Sequence, residues 1–175
     1  MRTLFMDRDG VVNEQIIGGY VQSFDQFVYK EKFFEAMKIL HSKFHRIILV
    51  TNQQGIGKGI CTQKQVDAIH QQLQRDLQEA GCAFDAVYCC PHLASEQCDC
   101  RKPNIGMALQ ACKDFSDIDL HSSVMVGDSL SDMQFGQNAG MTCFHVGATD
   151  KPNYDEILQI ASEHYDSLYD FALKI

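Results

Sequence analysis

Four short segments of the chain carry side chains suited to moving a phosphoryl group. Asp7-Arg8-Asp9-Gly10 follows the apolar run Thr3 to Met6, and Thr51-Asn52-Gln53 follows Ile47 to Val50. Lys102 follows a cysteine-rich stretch, and Gly127-Asp128-Ser129, with Asp132 one turn on, follows Val124 to Val126. Carboxylates gathered at one place repel one another and stay ionised only with a cation among them. Oxygen ligands select a hard ion, and Mg²⁺ characteristically keeps waters and adds a substrate phosphate oxygen. Neutralised in this way, Asp7 can attack phosphorus and form an aspartyl-phosphate. Asp9, two residues on, can supply the proton that the leaving alkoxide needs. Lys102 offers fixed positive charge and Thr51 a hydroxyl to the transferring group. Each segment alone also reads as a turn or helix cap; their common placement after strands is what capping does not explain.

The chain has eight cysteines. Cys90-Pro91-His92, five residues, then Cys98-Asp99-Cys100 offers three thiolates and one imidazole, a closed tetrahedral set for structural zinc. Cys89 competes with Cys90, but strand alternation turns neighbours to opposite faces and the Cys-x-His spacing favours Cys90. A zinc ion here would fix the loop that carries Arg101 and Lys102. Cys61, Cys82, Cys112 and Cys143 read as small buried hydrophobes. The N-terminal apolar patch is broken by Asp7, Arg8 and Asp9 and shows no signal-peptide core, so the expected compartment is the reducing cytoplasm, where clustered cysteines bind metal.

These groups need a scaffold. The 175 residues, 45% hydrophobic and 22% charged, suit a single domain over 1–175 with a zinc loop at 89–102. No apolar run reaches the roughly 20 residues of a membrane span. A net charge of −8 excludes wrapping nucleic acid, which needs a basic face. Short apolar runs at Thr3–Met6, Arg46–Val50, Phe84–Cys90, Val124–Val126 and Thr142–Val146 predict strands. They alternate with helical stripes: Phe33, Met37, Leu40 and Phe44; Val66, Ile69, Leu73 and Leu77 behind a Thr62–Gln65 capping box; Ile105 to Phe115; Leu130 to Ala139; and the last twenty residues. Repeated βα units imply an α/β fold, a three-layer Rossmann-like parallel sheet with helices on both faces. Such sheets bind ligands beyond the C-terminal ends of their strands, at a switch point in strand order.

Other features read more plainly. Gly55-Ile56-Gly57-Lys58-Gly59 fails the Walker spacing and lacks Ser or Thr after the lysine, so it is expected to form a flexible entrance loop. His41 and His45 read as a solvated helix face, and Met6 and Met37 as core.

Taken together, the motifs resemble the haloacid dehalogenase (HAD) superfamily of phosphatases. Asp-x-Asp-Gly matches residues 7–10, the hydrophobic strand ending in Thr matches Ile47 to Thr51, the lysine is Lys102, and Gly-Asp-x-x-x-Asp matches Gly127, Asp128 and Asp132. The resemblance implies a HAD fold without a large cap domain, Asp7 as nucleophile and Asp9 as acid/base. It implies Mg²⁺ held by Asp7, the backbone carbonyl of Asp9 and Asp128, with Asp132 open between metal ligand and hydrogen-bonding partner. The cysteine loop ahead of Arg101-Lys102-Pro103 is similar to the branch that holds the heptose 1,7-bisphosphate phosphatases and the histidinol-phosphate phosphatases. Gly18-Gly19-Tyr20-Val21 and Thr51 to Gly59 lean toward the heptose type; the short segment between His92 and Cys98 is as in the histidinol type. By position, the resemblance implies a substrate pocket of Gly18, Gly19, Tyr20, Thr51, Asn52, Gln53, Gln54, Arg101 and Ser129. It implies a small phosphorylated substrate, a sugar bisphosphate or amino-alcohol phosphate, taken by a monomer. A phosphoryl-accepting receiver module is the rival of another class. Against it stand Asp9, placed for turnover, and the zinc loop. A zinc-stabilised binding protein that has lost catalysis is a third reading, but no catalytic position is substituted.

Overall fold

A computed structural model describes residues 2–151 and 153–175. Six strands form one parallel sheet: β1 (Thr3–Met6), β2 (Arg46–Asn52), β3 (Ala86–Cys90), β4 (Val124–Gly127), β5 (Thr142–Val146) and β6 (Glu163–Tyr165). Their spatial order is β3-β2-β1-β4-β5-β6. The chain therefore winds outward from β1 in one direction and from β4 in the other. The crevice above the β1/β4 pair is the switch point, and Asp7 and Asp128 lie just past the ends of those two strands.

Alternation along each strand divides the core in two. Leu4, Met6, Ile47, Leu49, Val124 and Val126 face one side. There they meet Phe33, Met37 and Leu40 of α1 (Phe33–Lys43), Ile69, Leu73 and Leu77 of α2 (Gln63–Glu79), and Phe171 of α6 (Leu168–Lys174). Phe5, Ile48, Val50 and Met125 face the other. Their partners are Met107 and Ala111 of α3 (Gly106–Asp114), Met133 and Phe135 of α4 (Leu130–Asn138), and Ile157 of α5 (Tyr154–Ile160). Strands buried on both faces are continuous apolar runs, as a covered parallel sheet requires. This is the expected three-layer arrangement.

Between β1 and β2 the chain adds α1 and a loop holding one 3₁₀ turn at Phe24–Gln26, but no cap domain. Stacked aromatics tie that loop down: Phe24 on Phe27 at 5.3 Å and Tyr29 on Phe33 at 5.5 Å between ring centroids. The Thr62–Gln65 capping box forms as expected, with Gln65 N donating to Thr62 Oγ1 at 3.2 Å and Thr62 N donating to Gln65 Oε1 at 2.8 Å. Met6 and Met37 are fully buried. No helix among the described residues is long and apolar enough to cross a membrane.

Three expectations are corrected. The last twenty residues are not one helix: β6 interrupts them and pairs with β5, Phe144 opposite Glu163 and Val146 opposite Tyr165. A three-residue edge strand is too short to show a period. His45 lies beyond the end of α1, in the turn to β2, where its Nε2 is 3.3 Å from Asp117 Oδ2. Cys112 is only half-buried, whereas Cys61, Cys82 and Cys143 are buried.

Candidate active site

Asp7 continues the line of β1, its N–H donating to Val126 O of β4 at 3.0 Å. Lys102 reaches it from the loop after β3. The Lys102 Nζ donates to Asp7 Oδ1 at 2.5 Å and to Val50 O at 2.8 Å, and lies 2.6 Å from Asp132 Oδ1. Asn52 holds the lysine backbone on both sides: Lys102 N donates to Asn52 Oδ1 and Asn52 Nδ2 donates to Lys102 O, each at 3.0 Å. Burial favours the neutral amine, but Asp132 and Asp7 outweigh it and push the Lys102 pKa upward, so the ammonium is kept.

One oxygen from each of Asp7, Asp128 and Asp132 falls within 4.8 Å of the others. Burial, with Asp132 close by, raises the carboxyls of both Asp7 and Asp128 above the usual range; Lys102 opposes the shift at Asp7 and Lys151 at Asp128. Carboxylates so placed call for a cation, and the backbone leaves room for the cluster. Gly10 has φ +92°, and a Cβ there would collide with the Asp128 carboxylate, so the turn after β1 requires glycine on both counts. This donor set is all oxygen, which fits a hard divalent ion. Asp132 faces Lys102 and accepts from Ser129 N at 3.1 Å across the first turn of α4.

Asp9 is held differently. Its carboxylate accepts from Arg8 Nη2 at 2.8 and 2.9 Å, Asn13 Nδ2 at 3.0 Å and Gln53 Nε2 at 2.8 Å. Burial would raise it, but Arg8 and these donors prevail and hold it below the ordinary carboxylate range. Arg8 is itself buried, with Nη1 3.2 Å from His70 Nε2.

A cavity of about 490 Å³ opens above these groups. Among the residues expected at the site, it is lined by Asp7, Asp9, Gly18, Gly19, Tyr20, Asn52, Gln53, Gln54, Arg101, Lys102, Asp128 and Ser129. Thr51 is the exception. It is buried beneath Gln53, whose Nε2 donates to Thr51 Oγ1 at 2.8 Å, and is not among the lining residues. β2 extends through Thr51 and Asn52, and Gln53, the next residue, folds back over the threonine and takes its place at the cavity floor. Lys58, in the segment expected to form the entrance loop but not among the expected site residues, joins the rim with its Nζ 5.4 Å from the Tyr20 ring centroid. Lys151 was also missed. Its Nζ is 2.5 Å from Asp128 Oδ2 and also donates to the Asp128 carbonyl, yet a single basic residue in a loop after β5 carries no sequence signal.

The second cluster sits beside this cavity. Sγ–Sγ separations are 3.1 Å for Cys90–Cys100 and 3.5 Å for both Cys90–Cys98 and Cys98–Cys100. His92 Nδ1 is 3.2 Å from Cys100 Sγ and 3.6 Å from Cys90 Sγ. A tetrahedron with Zn–S bonds near 2.3 Å has edges of about 3.8 Å, so four inward-facing donors at this spacing fit one such ion. Cys89 faces away, toward α2, as alternation requires. Burial raises the Cys90 thiol, and burial with the neighbouring thiols raises that of Cys100, whereas at Cys98 burial is overcome by the Arg101 N–H and the neighbouring thiols, which lower it to about 7, so Cys98 is the first of the three to become a thiolate. Arg101 Nη1 donates to His92 O at 3.4 Å, and Gly57 N donates to Pro91 O at 3.0 Å. The cysteine loop thus braces both the arginine and the glycine-rich loop at the cavity mouth.

Residues 99–170 match the HAD-hydrolase-like family. Over 98% of its length the chain is 36% identical to the D-glycero-α-D-manno-heptose-1,7-bisphosphate 7-phosphatase of Mycobacterium tuberculosis, covering 90% of that protein. It is 37% identical to the corresponding β-anomer phosphatase of Vibrio cholerae, covering 95% of this chain and 92% of that one. The crystal structure of D,D-heptose 1,7-bisphosphate phosphatase from B. bronchiseptica, complexed with magnesium and phosphate, superposes with a TM-score of 0.85 at 29% identity. The match covers 99% of this chain and 97% of that one.

Proposed function

This chain belongs to the HAD-like hydrolases, and from that premise we propose that it removes the 7-phosphate of D-glycero-D-manno-heptose 1,7-bisphosphate through an aspartyl-phosphate. The observation that carries the reading is the meeting of Asp7, Lys102 and Asp128 at the switch point, beneath a cavity lined by the loops expected to hold substrate. The similarity to heptose bisphosphate phosphatases over nearly the whole chain supports the substrate.

In this reading Asp7 Oδ attacks phosphorus and the ester P–O bond breaks. Asp9 is ionised in the free site, so to act as the acid it must take up a proton as the negative phosphate arrives beside it. It then gives that proton to the leaving alkoxide and takes one from the water that hydrolyses the acyl phosphate, so that it ends the cycle ready for the next. Lys102 stays against the nucleophile and steadies the charge that spreads over the transferring oxygens. Gln53 orients Asp9 through its amide, and Thr51 fixes the other side of that amide. Arg101 and Lys58 stand at the rim, where a second phosphate of a bisphosphate would need charge. Mg²⁺, held by Asp7, the Asp9 carbonyl and Asp128, would when bound keep these carboxylates ionised and offset phosphate charge. Zinc on Cys90, His92, Cys98 and Cys100 would be structural. The groups named meet within one chain, so the proposed reaction needs no residue from a partner; a monomer in the cytoplasm is proposed, where unpaired thiols persist.

Parallel assays with both anomers of heptose 1,7-bisphosphate and with histidinol phosphate test the proposal. Preference for a heptose anomer is expected. Preference for histidinol phosphate overturns the substrate and leaves the mechanism standing, whereas no phosphatase activity with Mg²⁺ on any of them overturns both.

A further inference from the structure

Behind Asp128, outside the cavity, two histidines from adjacent strands meet. His145 on β5 is fully buried, and His164 on β6 lies opposite it in the parallel register. Their Nδ1 atoms are 2.8 Å apart, and His145 Nε2 is 3.2 Å from the Asp128 carbonyl oxygen. The rings lie 27° from parallel with centroids 5.1 Å apart, and Tyr154 of α5 sets its ring edge-on against both. The pair lines neither the cavity nor the cysteine cluster.

Hydrogen-bond roles follow from the partners. A carbonyl oxygen only accepts, so His145 Nε2 carries a proton. Full burial favours the neutral ring, which leaves His145 Nδ1 bare and makes His164 Nδ1 the donor. Asp166 Oδ1, on an exposed side chain, lies 3.6 Å from His164 Nε2, beyond hydrogen-bond reach, and does not fix that nitrogen. The other charged group facing this corner is Lys151, which shares the Asp128 carbonyl with His145. The tautomers are thereby set from the Asp128 carbonyl outward through His145 to His164.

We infer that His145 is a positioning residue: locked by His164, it holds the Asp128 peptide plane and so aims the Asp128 carboxylate at the cation site. This rests on the reading of Asp128 as a Mg²⁺ ligand. The Asp128 peptide is confined on its other flanks as well, since a Cβ on Gly127 would collide with Asp132, and Ser129 N is tied to Asp132. The pair supplies the restraint from behind. It also gives β6 a task beyond closing the sheet edge.

The test uses the zinc-replete full chain and two readouts. Nitrogen-15 NMR of the imidazoles should show His145 protonated on Nε2 alone and His164 on Nδ1. Calorimetric Mg²⁺ titration should show His145→Met binding about tenfold more weakly, the size of loss that follows removal of an outer-shell partner. His145→Gln, whose amide nitrogen replaces the Nε2 donor, should bind within about twofold of the parent, since the outer-shell hydrogen bond is restored. Parent-like affinity in His145→Met, failure of glutamine to rescue, or a proton on His145 Nδ1 overturns the inference. Should His145→Met not fold, His164→Phe serves: it frees the His145 tautomer and should weaken Mg²⁺ binding, and an unchanged tautomer and affinity refute the lock. A parent chain that binds no Mg²⁺ overturns the reading of Asp128 instead, and the NMR result still judges the pair.

Discussion

Lys102 Nζ and Asp7 Oδ1 lie 2.5 Å apart, both deep in the protein, and Asp132 closes on the same ammonium from its other side. Two carboxylates and one lysine thus form a buried triad in which a single ammonium faces both acids. Removing one partner of such a group leaves an unpaired charge, which costs about 3–5 kcal/mol. Lys102→Met should therefore lower both stability and turnover, read by urea unfolding and steady-state assay. A variant as stable as the parent would refute the triad.

Asp7→Asn keeps the shape of the side chain and removes the nucleophile. Turnover should be lost, and no hydroxylamine-sensitive phosphoenzyme should be trapped on acid quenching. Retained activity would mean that water, and not Asp7, attacks phosphorus.

Native mass spectrometry should find one zinc ion per chain. Cys100→Ser removes a ligand and should release it, with KM rising more than kcat falls, because Arg101 leans on the His92 carbonyl. A metal-free chain with reduced thiols would sink the assignment.

His70 gives a pH signature. Burial first, then Arg8, lower its pKa to about 4. An unfolded histidine takes up its proton near 6.5, so between these values the unfolded chain binds more protons than the folded one. Stability from this group is complete above about pH 6.5 and is lost as pH falls toward 4, by up to about 3 kcal/mol. Chemical denaturation across that range should show the slope, and His70→Gln should flatten it. A slope that persists unchanged in the variant belongs to another group.

Lys151 stands against the carboxylate that a divalent ion would also use. Lys151→Met removes the competing ammonium, and Mg²⁺ should bind several-fold more tightly, a gain of less than the roughly 1.4 kcal/mol that corresponds to tenfold. Weaker binding would show that the lysine supports the ion.

Much of this arrangement was legible in the sequence because each piece follows a strand. The acidic turn at Asp7, the amide run at Asn52 and the glycine-aspartate at 127–128 stand where apolar runs stop, and a parallel sheet brings such ends together. The gathering of Cys90, His92, Cys98 and Cys100 was legible from spacing alone. What escaped depends on distance through space: Lys151 on Asp128, His70 on Arg8, His164 on His145. None of these pairs has a local pattern, and β6, which delivers His164, is too brief for periodicity to register. Thr51 was expected at the cavity and lies below it, because nothing in the sequence shows that Gln53 folds back over it.

Asn52 grips the Lys102 peptide with both ends of its amide, while Cys90 closes the last rung of the β2/β3 ladder opposite Asn52. The stretch from His92 to Cys98 lies between these anchors. Residues inserted between His92 and Cys98 would enlarge the rim of the mouth without moving the ammonium from the nucleophile, so selectivity could diverge among related enzymes while the chemistry beneath stayed constant.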